Sequence, residues 1–228
     1  MLSRASLTVG RDRAYVHYLT YGRQIVDGWL KPLGILFIDA LEAEQRRHDV
    51  HGHVAEIGVH HGKLFIMLSL LRRPGENAVA VDLFEDQQRN VDFSGHGDRT
   101  AFLGNLNRWH PDTPGLVVEA MDSRDLDGTR LRALAGGPLR LVSVDGGHTA
   151  DLTYHDLTTA CDALAPGGVV VLDDCFNELF PAVSEGAQRF LRDRTDIAAI
   201  GAAGNKTFFT QHERATAYRA AKIGRAHV

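Results

Sequence analysis

Residues Leu141–Cys175 read LVSVDGGHTADLTYHDLTTACDALAPGGVVVLDDC, and this stretch decides the fold. An apolar run ends in Asp145, an amphipathic helix follows, Pro166-Gly167-Gly168 turns the chain, and a second apolar run ends in Asp173 and Asp174. Two apolar strands joined through a helix make a parallel βαβ unit, so both finish at the same sheet edge. Three carboxylates and His148 then converge in one crevice, where ligands bind in such sheets. Unpaired carboxylates repel one another and resist desolvation unless a cation joins them. The pattern predicts a hard divalent cation held by Asp145, Asp173 and Asp174, with His148 beside it as the base. A helix start and a bound cation both disfavour imidazolium, so His148 is expected to stay neutral near pH 7. Each residue also has a plainer reading: Asp145 or Asp174 as a helix cap, His148 as a solvated loop residue.

Working outward, the same alternation continues in both directions. Strands are expected at Val54–Ile57, Ala78–Asp82, Leu116–Glu119, Leu139–Val144 and Val169–Asp173, with a closing hairpin of Ile197–Ile200 and Lys206–Thr210. Helices are expected at Lys63–Arg72, Asp98–Trp109, Gly128–Ala135, Thr149–Ala163 and Ala182–Arg194, with Asp151 and Asp156 on the polar side of the helix they share. This order implies an α/β fold with a doubly wound, mostly parallel, Rossmann-like sheet of seven strands. Residues 1–50 have a different texture and read as N-terminal helices, able to cap the open edge of a core spanning 53–210. One domain covers 1–221. The last seven residues, Lys222–Val228, match the translation of a common sequencing adapter and are expected to be a non-native tail.

Composition excludes several function classes. The 228-residue chain, long enough to bury roughly 70% of its unfolded surface, carries a formal charge of −4 without any basic stripe, so no nucleic-acid partner is expected. No apolar run approaches the roughly 20 residues of a membrane span, and the N-terminus lacks a signal-peptide core. Two cysteines in a helix and after a strand argue against a disulfide framework and for a reducing, cytoplasmic setting. Self-association is left open.

After the first strand comes Glu56-Ile-Gly58-Val59-His60-His61-Gly62, a glycine-rich turn opening a helix. Gly58 lets a ligand approach the backbone, and Gly62 permits a tight strand-to-helix turn. If Gly58 has an ordinary φ, a larger residue there should block a ligand without harming the fold. Asp82 closes the second strand, where an acid can accept the ribose hydroxyls of an adenosine. Asp122 and Ser123 follow the third strand, positioned for an adenine. Glycine-rich turns are also common purely structural features.

Together EIGVHHG, AVDLFE, EAMDS, VDGGH and LAPGGVVVLDD resemble class I S-adenosylmethionine-dependent methyltransferases. The resemblance is closest to metal-dependent sugar O-methyltransferases of the macrocin and mycinamicin types and to the cephalosporin-hydroxylase-like group, and it covers roughly residues 54–210. It implies S-adenosylmethionine held by Glu56, Gly58, Val59, His60 and Gly62 at its methionine end, Asp82 at the ribose, and Asp122 and Ser123 at the adenine. It also implies Mg²⁺ on Asp145, Asp173 and Asp174, with His148 as catalytic base and a small polyhydroxylated acceptor. The His60-His61 pair departs from the small polar residues usual there. A catechol or phenol acceptor, or a non-catalytic nucleotide-binding protein with a structural acidic cluster, are the alternatives.

Other features read more plainly. His48, His51 and His53 suggest a solvated loop rather than a zinc site. Tyr15, Tyr18, Tyr21 and Trp29 suggest helix packing or a substrate entrance, and Lys206 an exposed hairpin lysine by default, with an approach to the active-site rim as the alternative. Asp86–Gly97 reads as a long loop without periodicity.

Overall fold

The computed structural model describes residues 12–111 and 114–221; the expected non-native tail lies outside the described residues. At the N-terminal side, α1 (Arg13–His17) passes through a π-helical turn at Tyr18–Gly22 into α2 (Arg23–Ile25), and α3 (Pro32–Arg47) follows. The chain then alternates through β1 (His53–Ile57), α4 (Lys63–Leu70), β2 (Ala78–Asp82), α5 (Arg99–Trp109), β3 (Leu116–Ala120), α6 (Gly128–Ala135) and β4 (Leu139–Val144). It continues with α7 (Ala150–Asp162), β5 (Leu164–Leu172), α8 (Pro181–Asp193), β6 (Ile197–Ala203), β7 (Lys206–Gln211) and α9 (His212–Ala220). The sheet has seven strands in the order β3-β2-β1-β4-β5-β7-β6. β1 to β5 pair in parallel, while β7 runs antiparallel between β5 and β6.

Why these residues make this sheet follows from the two-residue period of a strand. Val54, Leu141, Val169 and Val171 point into one apolar layer with α3, α4 and α5, whereas Ala55, Ile57, Val142, Val144, Val170 and Leu172 point into the other with α6, α7 and α8. Strands buried on both faces need continuous apolar runs, which is what the sequence carries. Burial of each such side chain contributes about 1.5–3 kcal/mol.

The N-terminal helices cover one face of the sheet instead of only its edge. The Phe37 ring stacks on Phe208 of β7 with centroids 4.2 Å apart, and the Tyr18 hydroxyl donates to the Lys63 carbonyl at 2.6 Å. Tyr15 and Tyr18 are therefore core, while Tyr21 and Trp29 remain exposed. α9 lies beyond the last expected element; its Tyr218 hydroxyl donates to the Gly167 carbonyl at the Pro-Gly-Gly corner. Asp156 is a correction. It is buried under the sheet edge, not on the polar side of α7, and burial lifts its carboxyl to about 7. His48 and His51 are exposed, and His53 Nδ1 accepts from the Asn77 amide at 2.9 Å. Both cysteines are buried and free.

Candidate active site

The order of strands reverses between β1 and β4, and a cleft of about 610 Å³ opens there at the carboxyl ends of the parallel strands. One wall is the β1–α4 turn. Gly58 has φ +82°, and a Cβ on it would sit 1.9 Å from the Asp145 carbonyl oxygen. Its glycine is thus required by the neighbouring chain itself, which corrects the expectation that a larger residue there would spare the fold. Gly62, φ +89°, starts α4 with the Phe102 ring against it.

Asp82 lines the cleft and ties the two turns together. Its Oδ2 accepts from the amides of Val59 and His60 at 2.8 Å each, and its Oδ1 from the Phe84 amide at 2.7 Å. Burial pushes its carboxyl up and these amides pull it partly back. His60 also faces the cleft, whereas Val59 and Gly62 stand behind it. Asp122 and Ser123 line the opposite end. The Asp122 carboxylate is already paired with Arg124 at 2.6 Å and Arg89 at 2.9 Å, which outweigh its burial and hold it below the usual range. The Ser123 hydroxyl donates to Asp156 Oδ2 at 3.2 Å. Glu56 does not reach the cleft wall. It lies buried below, with Oε2 lacking a partner among the described residues, and burial raises its carboxyl to about 8 against the pull of Lys206 and Ser143.

The second constellation sits at the ends of β4 and β5. Asp145, His148 and Asp174 each present a ligand atom, all within 4.8 Å of one another. Asp145 is pushed well above the carboxylate range by burial and by the neighbouring Asp173 charge. Asp174 occupies a left-handed backbone conformation, φ +57°, which turns its carboxylate to accept from Asn177 at 2.9 Å and Asn205 at 3.0 Å. Those bonds and His148 outweigh burial and hold it at about 2. Asp173 is different. It faces inward to the ammonium of Lys206 and the side-chain amide of Asn205. Lys206 is not an exposed hairpin lysine but 1% exposed, because β7 is an interior strand and begins with this residue directly under the acids.

His148 is held on every side. Its Nδ1 lies 2.9 Å from Asp92 Oδ2, its Nε2 3.4 Å from Asp174 Oδ2, and its ring stacks on Phe180 with centroids 3.8 Å apart. Burial favours the neutral ring, but Asp174, Asp92 and Asp145 overcome it and raise the imidazole to about 10. Without a cation these carboxylates favour the imidazolium, whereas the neutral ring expected from the sequence is that of the protein with its cation bound. The sequence reading missed Asp92. It lies in the 86–97 loop, accepts also from the His148 amide and from Ser94, and is held far below the usual carboxylate range by these bonds despite its partial burial.

The donors present suit the groups the sequence implies. Two clustered carboxylates with an adjacent imidazole suit a hard divalent cation, since Asp145 is buried against the like charge of Asp173 and its ligand atom converges with those of His148 and Asp174. The cleft and its acid at the end of β2 suit an adenosine.

A family model described as a methyltransferase domain matches residues 55–175, just over half of the chain. Among curated proteins no sequence matches. Solved structures match over most of their length. The O-methyltransferase NovP aligns with a TM-score of 0.62 at 13% identity, covering 78% of this chain and 80% of that one. The O-methyltransferase TomG from Streptomyces achromogenes, involved in tomaymycin synthesis and solved with S-adenosylmethionine, aligns with a TM-score of 0.58 at 20% identity, covering 91% and 93%. CalS11, a TDP-rhamnose 3'-O-methyltransferase of calicheamicin biosynthesis, aligns with a TM-score of 0.58 at 16% identity, covering 84% of each chain. At such identities the likeness establishes the architecture.

Proposed function

The chain belongs to the methyltransferase-domain family, and from the site it builds we propose that it methylates a hydroxyl of a small polyhydroxylated acceptor, using S-adenosylmethionine and a divalent cation, with Mg²⁺ as the natural choice. The observation that carries this reading is His148, oriented by Asp92 at one ring nitrogen and facing the crevice acid Asp174 with the other. A pure binding protein has no need of an oriented imidazole beside clustered carboxylates.

When bound, the sulfonium supplies the methyl group and the cation lowers the acceptor hydroxyl's pKa. The chain's own residues do the rest. Asp82 would take the ribose, Ser123 and Asp122 the adenine, and the Gly58–Gly62 turn the methionine end. Asp145 and Asp174 would hold the cation. His148 takes the hydroxyl proton at Nε2, with Nδ1–H donated to Asp92, once the charge on Asp174 is offset. Phe180 fixes the ring plane and keeps one face of the imidazole dry. The exposed side chains of Trp29 and Leu179 at the mouth offer apolar faces on which a sugar or another ring can lie. The O-methyltransferases with the same architecture include one described as acting on a nucleotide-linked sugar, which supports a sugar ahead of a catechol.

The test is labelled methyl transfer from S-adenosylmethionine to panels of glycosides, nucleotide sugars and catechols, with Mg²⁺ and with a chelator. Transfer to hydroxyls that the chelator abolishes is the expected result. Transfer at full rate in chelator removes the cation from the reading, and transfer only to nitrogen or sulfur removes the hydroxyl.

A further inference from the structure

Lys206 is the one lysine or arginine embedded in the cluster of Asp145, Asp173 and Asp174 among the described residues, and the reaction assigned above makes no use of it. Its side chain is 1% exposed and its ammonium pairs with Asp173, itself 3% exposed in its side chain. Asp145, just past the end of β4, and Glu56 of β1 also act on the ammonium. The stem is packed from behind, with Gly34 of α3 so close that a Cβ there would meet Lys206 Cδ at 3.4 Å. Lys206 is absent from the cleft wall, although Asn205 and Asp173 on either side of the contact both line it. It therefore touches no ligand directly and acts through Asp173.

We infer that Lys206 is a built-in cation that occupies the Asp173 corner of the carboxylate cluster, confines a divalent ion to the Asp145–Asp174 corner, and keeps that ion weakly held. This rests on the divalent-cation reading above. Lys206 and a metal compete for Asp173. A buried ammonium is tolerated only while a carboxylate answers it, so Asp173 cannot turn to a metal without leaving Lys206 uncompensated. An ion that does bind must share the cluster with a like charge, which lowers its affinity. The geometry agrees, because Asp145, His148 and Asp174 form the group whose ligand atoms converge and Asp173 is not among them. Asn205 donates to Asp173 Oδ1 and Asp174 Oδ1 together, so its amide bridges the two carboxylates and occupies one oxygen of each.

The experiment compares the full chain with Lys206→Met, which keeps the apolar stem, and Lys206→Gln, which keeps a hydrogen-bond donor. Mn²⁺ is titrated calorimetrically, and melting is followed with and without Mg²⁺. Removing the ammonium frees Asp173, so both variants should bind Mn²⁺ at least about tenfold more tightly, the effect expected from one like charge at close range. Their melting temperatures, lowered without metal by the unpaired Asp173, should rise further with Mg²⁺ than that of the wild type. Adding Asp173→Asn to Lys206→Met should return Mn²⁺ affinity to the wild-type level. If Lys206→Met fails to fold, Lys206→Gln carries the same comparison.

Equal Mn²⁺ affinity in the wild type and the variants overturns the inference while leaving the divalent-cation reading in place. Mn²⁺ binding by the variants and none by the wild type overturns that reading and upholds Lys206 as the resident cation. No binding by any form overturns both.

Discussion

Replacing Asp92 with Asn should separate catalysis from binding. The substitution keeps the shape of the side chain and removes the charge from His148 Nδ1, which the carboxylate meets at 2.9 Å. The same oxygen accepts from the His148 amide, and Ser94 bonds to the carboxylate beside it, so the loop should stay in place. What is lost is one charge-assisted hydrogen bond to an imidazole that gains positive charge as the acceptor loses its proton. Such a bond contributes about 1.5–3 kcal/mol, so kcat should fall roughly 10- to 100-fold. The affinity for S-adenosylmethionine should hardly change, because the cofactor's proposed anchors lie across the cleft at Asp82 and Ser123. Steady-state methyl transfer and calorimetric titration on the same preparation read the two quantities. A variant with wild-type kcat, or one whose loss appears in cofactor affinity, would refute the assignment of Asp92 as the residue that orients the base.

Glu56 links pH to stability. Its carboxyl ionises at about 8 in the folded protein against 4.5 for the free group. Between these values the unfolded chain has released the proton and the folded chain keeps it, so stability is full below pH 4.5 and falls as pH rises toward 8, by about 1.4 kcal/mol per unit at most. Glu56→Gln should flatten that decline in melting temperature, and parallel curves for the two proteins would contradict it. Gly58→Ala should cost more than about 3 kcal/mol, from the left-handed backbone and the contact with the Asp145 carbonyl, and should lower the melting temperature by several degrees in differential scanning; an unchanged melting temperature would show that the turn can relax. Asp82→Ala should weaken S-adenosylmethionine binding about ten- to hundredfold in calorimetry, with unaltered affinity removing the ribose role.

The sequence carried the fold because each parallel strand announces itself as an apolar run closed by a turn, and each helix between them shows its own period. The crevice was legible for the same reason. Asp145 and Asp174 sit at strand ends whose position is fixed by the sheet, so their convergence required no knowledge of side-chain rotamers, whereas Asp173 at the same edge turns to Lys206. What stayed hidden depends on contacts between distant segments. Asp92 lies in a loop without periodicity, and its partner His148 is 56 residues away. Lys206 and Asp156 look like ordinary polar residues of a hairpin and a helix. Lys206 is buried only because β7 inserts between β5 and β6, and Asp156 only because α7 rolls that position toward Gly146 and Ser123. The pull on His148 was hidden on the same point, since the carboxylate that raises it most after Asp174 comes from the unread loop.

The account's central claim is that His148 removes the acceptor's proton. The direct measurement is the rate of methyl transfer by His148→Ala to whichever hydroxyl acceptor the panel identifies, at saturating S-adenosylmethionine and Mg²⁺, with cofactor affinity measured in parallel. The account predicts a kcat lower by roughly 10²–10⁴ with cofactor affinity nearly unchanged. A variant that turns over at the wild-type rate at pH 7 would contradict it and leave the clustered carboxylates and their cation to activate the hydroxyl alone.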